Sequence, residues 1–423
     1  MKKLKIVSMT RQLVVSKGFF VLTLCLSIIY SVKAQKSGYE YSIYGFVRGE
    51  LYCNSRSNVE GVDGLFYLYP KDVLPDADGK DLNAYSNGSF YTFATRLGLD
   101  MKGPDVGAAK VSAKIETDFG GTNNINFMLR IRQIYLKLAW DKGSSLLLGQ
   151  AWHPMFGEVM PNMLNLSTGS PFQPFNRSPQ LNFQHATKHF KLTASALYQL
   201  VYLSTGPAGK TENYTKNGVL PELYLGADYK NGNFLFGGGA DMISLKPRTE
   251  ATANSGVYRV NERITSFSYE LHTKYTYNIF QISGKTLIAE NQTHNTMLGG
   301  FGVTATDPRT GKQEYTPFRH STSWLNVVIG KEYQGSLFAG FTKNLGVSEK
   351  LESAGKLYGT GLDIDKLLTL NFCLSYNLPH WKLGAEYTNS TAWYGKTDIE
   401  DGKSKDTHDV TNHRIEAVFM YYF

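Results

Sequence analysis

The chain has 423 residues, with 44 Lys+Arg against 36 Asp+Glu, 41 Gly, 27 Tyr and 24 Phe, but only 3 Cys and 19% charged residues. So much Gly and aromatic content with so few charges excludes a disordered tail and a charged helical bundle, and favours β-structure. The formal charge of +8 gives no support to a nucleic-acid partner: Lys2, Lys3, Lys5, Arg11, Lys17 and Lys33 come before residue 35 with no acid among them, leaving +2 for the rest.

Residues 1–34 read as a secretory signal peptide. A basic stretch is followed by the apolar run Gly18 to Tyr30 and then by Ser31-Val32-Lys33-Ala34-Gln35, a small-residue site that predicts cleavage after Ala34. The apolar core is shorter than the roughly 20 residues a spanning helix needs, and Leu22-Thr23-Leu24 before Cys25 lacks the small residues of a lipidation site. Residues 35–423 then form one unit. In an oxidising compartment, Cys53 and Cys373 have no spacing that demands a bridge, so neither a disulfide nor a Cys-based metal site is expected.

Beyond residue 34 no run of 18 apolar residues occurs, which excludes a helical membrane protein. Apolar and polar residues alternate instead with period two over segments of about 10 to 14 residues. The first, 39–52, sets Tyr41, Ile43, Val47 and Leu51 against Ser42, Tyr44, Arg48 and Glu50. The second, 89–102, sets Tyr91, Phe93, Leu97, Leu99 and Met101 against Thr92, Arg96, Gly98 and Asp100; the third, 109–119, sets Val111, Ala113, Ile115 and Phe119 against Lys110, Ser112, Lys114, Glu116 and Asp118. Further strands are predicted at 128–140, 143–152, 179–187, 188–203, 220–230, 233–244, 262–277, 279–291, 318–332, 335–346, 366–378, 380–390 and 412–423. Short connections alternate with long ones, the long ones near 53–88, 120–127, 153–178, 204–219, 245–261, 292–317, 347–365 and 391–411.

Sixteen strands joined by seven turns and eight loops are the arithmetic of an all-β, antiparallel, up-and-down barrel with both ends on one side. A sheet that spans a membrane must close to pair every backbone group, and it must present an apolar face to lipid and a polar face to water. Aromatic residues gather near strand ends, as interfacial girdles require: Tyr39, Tyr41, Tyr135, Trp140, Tyr198, Tyr202, Tyr275, Tyr277, Trp381, Tyr387, Trp393 and Tyr394. Ile415, Ala417, Phe419, Tyr421 and Phe423 alternate up to the last residue. A closing strand of this form, with Phe419, Tyr421 and Phe423 as its signal, resembles the address read by the bacterial barrel-assembly machinery. Sixteen strands leave room for an aqueous channel.

Residues opposite the lipid-facing set include Arg48, Arg96, Lys114, Arg130 and Arg132, with Glu50, Glu116 and Asp118 beside them, and all eight are predicted to line the pore. Arg130 and Arg132 fall on one face about 7 Å apart from the strand rise, and clustered guanidiniums attract carboxylates in bidentate geometry. The stretch 153–178 contains Pro154, Pro161, Pro171 and Pro174 and is followed by Pro179, so it reads as a stiff loop folded inward or lying over the mouth; Glu158 and Arg177 are its charged contributions to a constriction.

Thr95-Arg96-Leu97-Gly98-Leu99, Lys114 to Phe119, Leu129 to Leu136, Leu148 to Trp152 and Ser178 to Leu181 occur in an order that resembles the DcaP-like trimeric porins. The resemblance covers about residues 90–181 and implies a 16-stranded homotrimer in the bacterial outer membrane, surrounded by lipid and lipopolysaccharide, that passes small anionic solutes such as dicarboxylates. It matches Arg96, Arg130 and Arg132 to the family's pore arginines, with Gln133 where the family has His. Other motifs compete poorly. Arg319-His320-Ser321-Thr322-Ser323 has the residue types of a hydrolase but no further motif; Asp76 to Asp81 lacks the twelfth-position acid of a calcium loop; Gly237-Gly238-Gly239 reads as a bend or a subunit contact; the nine His show no metal spacing. The expectation is a passive, water-filled porin, not an enzyme, with no cofactor or metal and no nucleic-acid partner. The alternative is a barrel acting as a surface receptor or as a component of a larger uptake or assembly complex.

Overall fold

The computed structural model describes residues 38–120, 128–253 and 256–423, so the predicted signal peptide lies outside the described residues. Sixteen strands form one antiparallel barrel. They are β1 (Glu40–Asn54), β2 (Asn87–Tyr91 and, after a break, Arg96–Val106), β3 (Ala109–Asp118), β4 (Arg130–Trp140), β5 (Ser144–Trp152), β6 (Arg177–Ala186), β7 (Phe190–Leu197) and β8 (Glu222–Asn231). They continue as β9 (Phe234–Leu245), β10 (Ile264–Tyr277), β11 (Phe280–Glu290), β12 (Arg319–Gly330), β13 (Tyr333–Gly346), β14 (Ile364–Asn377), β15 (Trp381–Thr397) and β16 (Ser404–Tyr422). Each pairs with its neighbour in sequence, and β16 closes onto β1 from Phe46↔Tyr422 to Asn54↔Arg414. Closure leaves no open edge, which is what permits a sheet to stand in hydrocarbon.

The two faces are sorted as the alternation requires. In β10, Ile264, Ser266, Ser268, Glu270 and His272 are buried inside while Phe267, Tyr269 and Leu271 are exposed outside. The outer surface carries Leu181, Phe183, Leu225, Leu325, Leu337, Leu370, Phe372 and Ile415, an apolar surface suited to lipid and unsuited to water. Tyr39, Tyr41, Tyr277 and Trp381 are also exposed. Tyr135, Tyr202 and Tyr394 do not join a girdle. They face the interior, where Tyr394 donates to the Pro70 carbonyl at 2.7 Å and Tyr135 and Tyr202 line cavities.

Among the irregularities of the described strands, three bear on the predicted pattern. The second strand stops at Tyr91 and resumes at Arg96; the extra residue in this break buries Phe93 against Tyr52, Leu65 and Ala94 instead of leaving it on the lipid face. A bulge between Ile131 and Gln133 shifts the register of β4 against β3, so that Arg132 and Gln133 both point inward and Ile134 and Leu136 return to the outside. Finally, β15 and β16 run as far as Thr397 and from Ser404, so most of the predicted loop 391–411 is a paired hairpin projecting past the lipid belt. There the inner face stays buried, with Ala392, Tyr394 and Val410 in one cluster with Tyr69 and Ile364, while the outer face carries Thr391, Asp409 and Thr411, so the apolar alternation that marks a spanning strand is lost.

Candidate functional site

The interior wall of β1–β4 carries a ladder of charge. Arg130 holds Asp118 bidentately, with Nε to Oδ1 at 2.9 Å and Nη2 to Oδ2 at 2.8 Å. Arg132 bridges downward, donating from Nη1 to Asp118 Oδ2 at 2.8 Å and from Nε to Glu116 Oε1 at 2.9 Å. Arg96 comes within 3.7 Å of the same Glu116 and lies 4.9 Å over the Phe46 ring. Tyr44 donates to Glu116 at 3.0 Å and accepts from Lys114, whose Nζ also meets Asp100 at 2.8 Å. Register explains the ladder: Asp118 faces Arg96 on one side and Arg130 on the other, and Lys114 faces Asp100 and Tyr135. Arg96 is 25% exposed and makes no side-chain hydrogen bond among the described residues, so it is the rung with N–H groups to offer.

Residues 153–176, between β5 and β6, fold into the barrel and cross it. Lys285 on β11 donates to the carbonyls of Met155 and Phe156. Asn326 on β12 accepts from the Asn162 amide at 2.9 Å, and Ser336 on β13 donates to the Asn162 carbonyl at 2.9 Å. Glu386 on β15 accepts the amides of Leu164 and Asn165, Glu416 on β16 accepts from the Asn165 side chain at 2.8 Å, and Arg48 on β1 donates to the Leu164 carbonyl at 2.6 Å. In a closed ring of sixteen, β13 lies eight strands from β5, so the segment spans the width of the barrel. Phe172 packs against Phe338 and lies flat over Gly340, where an added Cβ would come within 2.4 Å of its ring.

This placement alters the roles assigned to several predicted residues. Arg48 and Glu50 are interior but buried, Arg48 Nε meeting Glu50 at 2.7 Å while its Nη2 holds the Leu164 carbonyl; Arg132, Glu116 and Asp118 are likewise buried, so of the eight predicted pore-lining residues Arg96, Lys114 and Arg130 keep exposed surface. Glu158 does belong to that segment, is 54% exposed, and pairs with Lys191 near the short-turn end. Arg177 is not on the segment at all. It is the first residue of β6 and is 1% exposed, enclosed by Trp152, Phe175 and Tyr202.

Trp152, Phe156 and Phe175 form an aromatic cluster, with Trp152 stacked on Phe156 at 4.1 Å and Phe175 edge-on to Trp152 at 5.0 Å. Toward the long loops lies a cavity of about 860 Å³ whose lining includes Arg130, Tyr202, Leu200 and Met297. Toward the short turns lies one of about 360 Å³ lined by Gln133, Tyr135, Trp152, Phe156, Asp228 and His272 among others. The cluster and the crossing segment therefore form a waist between two chambers.

A second polar group escaped the sequence reading. His153 Nε2 and His294 Nε2 lie 3.0 and 2.8 Å from the same oxygen of Glu222, all fully buried, and Asp241 is nearby, accepting from Gln292 at 2.8 Å. The donor types would suit a divalent metal. However, the Met155 amide donates to His153 Nδ1 at 3.2 Å, which leaves the proton on Nε2 and makes that nitrogen a hydrogen-bond donor to Glu222, not a ligand. The group is a hydrogen-bonded clamp that fixes the start of the crossing segment to β8. Glu222 lies 69 residues after His153 and 72 before His294, so no local motif announces it.

The competing motifs resolve structurally. His320 is buried with neither ring nitrogen bonded, and the alternation places Ser321 on the opposite face, so they form no hydrolytic pair. Asp76 and Asp81 spend their oxygens on backbone amides and on Arg56. Gly237 and Gly239 point inward: a Cβ at 237 would come within 2.2 Å of Asp228, and one at 239 within 2.3 Å of Tyr224. The glycines make room for the Asp228–His272 pair, at 2.8 Å, and for the Tyr224 ring, in a strand paired on both sides without a register shift, so they mark no bend.

No protein-family model and no curated protein sequence matches the chain. Solved structures do share its fold. The outer membrane channel DcaP of Acinetobacter baumannii is 19% identical, with 92% of this chain and 99% of that chain covered and a TM-score of 0.64. The anion-selective porin from Comamonas acidovorans is 12% identical over 91% and 100% of the two chains, with a TM-score of 0.53. The trimer form of OmpT of Vibrio cholerae is 11% identical over 92% and 100%, with a TM-score of 0.54. The likeness to DcaP covers the whole barrel and is one of fold: an outer-membrane β-barrel with the architecture of the porins.

Proposed function

We propose that the protein is a passive diffusion channel of the bacterial outer membrane, passing small hydrophilic solutes with a preference for anions such as dicarboxylates, and that it works as a homotrimer. The observation that carries this reading is the cationic ladder beside the waist. Arg130 opens on the wider chamber, Arg132 and Arg96 follow, and Lys114 continues toward the short turns. A carboxylate entering from the long-loop side, which faces outward in barrels of this kind, meets the partly exposed guanidiniums of Arg130 and Arg96, with the buried Arg132 adding its field. Asp118 and Glu116 hold those donors in place and keep each site weak enough for release, as conduction demands. Transport needs no cofactor and no covalent step. The anion selectivity named for the Comamonas porin and the trimer form of OmpT agree with the proposal. Lipid and lipopolysaccharide would surround the outer face, and the barrel-assembly machinery would read Phe419, Tyr421 and Phe423.

Planar-bilayer recording tests the reading. Wild-type protein is expected to give an ohmic conductance with an anion-selective reversal potential. The pair Arg96→Glu and Arg132→Glu is expected to move that potential toward cations, more at 0.1 M salt than at 1 M, where the Debye length falls from about 10 to about 3 Å. An unmoved potential would remove the ladder from the permeation path. The interior, occupied by a docked segment, favours one other reading: a barrel whose long loops serve as a surface receptor or as a component of an uptake or assembly complex. A wild-type barrel without conductance would select it.

A further inference from the structure

The positive excess at the waist does not come from the ladder alone. Arg96, Arg130, Arg132 and Lys114 face Glu116, Asp118 and Asp100, four cations against three carboxylates. Arg177 has no such match. Among the described residues no carboxylate pairs with it, and the stretches outside them contain no acid. Its one side-chain hydrogen bond runs from Nη2 to the Tyr202 hydroxyl at 2.7 Å, while Nε and Nη1 are buried without a partner. The rest of the guanidinium lies against the rings of Trp152 at 4.9 Å, Tyr202 at 5.6 Å and Phe175 at 5.8 Å. Burying an unpaired charge is costly. A guanidinium is the cation that tolerates it best, being planar, weakly hydrated and able to stack on aromatic faces.

Its position gives that cost a use. Trp152 lines the chamber at the short-turn side and Tyr202 the chamber at the long-loop side, so Arg177 stands behind the partition that both share. Arg132 lies 5.9 Å over the same Trp152 ring. We propose that Arg177 is a selectivity-determining residue of the waist, acting through its field across the aromatic wall without touching the solute. The proposal rests on the channel reading above. It sets the charge of Arg177 beside the single net positive charge of the ladder, and it predicts a different salt response from that of the ladder. Ions in the lumen screen exposed charges within a Debye length, whereas a charge set in low-dielectric protein is screened much less.

The test is bi-ionic reversal potential on the full chain in planar bilayers. Arg177→Met and Arg177→Gln are both expected to lower the anion-over-cation permeability ratio by about fourfold or more, since the lost charge acts with opposite sign on anion and cation. Single-channel conductance should stay near wild type. The loss should shrink less between 0.1 and 1 M salt than the loss from Arg96→Gln. Arg177→Lys and Tyr202→Phe keep the charge and should hold the ratio within about twofold of wild type. A folded Arg177→Gln or Arg177→Met barrel with an unchanged ratio overturns the proposal, as does an equal loss in Tyr202→Phe, which would make packing the cause. Failure of the channel reading looks different: wild type shows no conductance. If wild type conducts without favouring anions, a cationward shift in Arg177→Gln still supports the role of Arg177, and no shift refutes it.

Discussion

Asp118 serves two arginines at once, its Oδ2 accepting from both Arg130 and Arg132. Removing one member of a buried ion pair leaves the other uncompensated, which costs about 3–5 kcal/mol. Asp118→Asn is therefore expected to lower the urea midpoint of unfolding, followed by tryptophan fluorescence, and to move the reversal potential further toward anions. A variant as stable as wild type would show that the ladder is held from elsewhere. The arginines of this wall were legible in the sequence because residues two apart share a face of a strand. Arg177 was legible as a charge but not as a buried one, since a 24-residue excursion separates it from the strand whose Trp152 covers it. The bend expected at Gly237 and Gly239 is absent for a related reason: the Asp228 and His272 they accommodate lie on neighbouring strands, and sequence alternation does not reveal which partner stands opposite.

At the scale of elements, all sixteen strands follow from alternation, and the places where alternation misleads have local causes. The break at 92–95 and the bulge at Arg132 each insert one residue, and each reverses which face the following residues take. On the β15–β16 hairpin the outward face past the lipid belt carries Thr391, Asp409 and Thr411, so the apolar period stops while the pairing continues. The stiffness of residues 153–176 could be read from their prolines, but their docking could not, because it depends on acceptors and donors from six strands of the far and closing walls. Glu386 is central to this docking, taking two backbone amides. Glu386→Ala is expected to loosen the middle of the segment and to produce a larger, noisier single-channel conductance. Conductance identical to wild type would mean that the remaining bonds suffice to hold it.

For the molecule as a whole, closure is the decisive event, and the last residue takes part in it. Phe423 exchanges two backbone hydrogen bonds with Gly45, both at 3.2 Å, and its ring lies over that glycine on the outer face. Phe419 covers Gly49 in the same way and stacks on Phe90 at 6.2 Å. Deletion of Phe423 is expected to reduce the yield of folded barrel in the outer membrane, scored by the mobility difference between heated and unheated samples. An undiminished yield would show that the final aromatic is dispensable for assembly. Fold class could be reached from alternation, turn arithmetic and this closing strand, none of which requires knowing the interior.

The crossing segment has a mechanical consequence as well. It joins walls eight strands apart through bonds at both ends, in the manner of a strut inside a thin-walled tube. Lateral pressure from the bilayer tends to flatten such a tube into an ellipse. With the strut in place, the waist should keep its dimensions as lipid thickness and tension change, and a barrel lacking it should not.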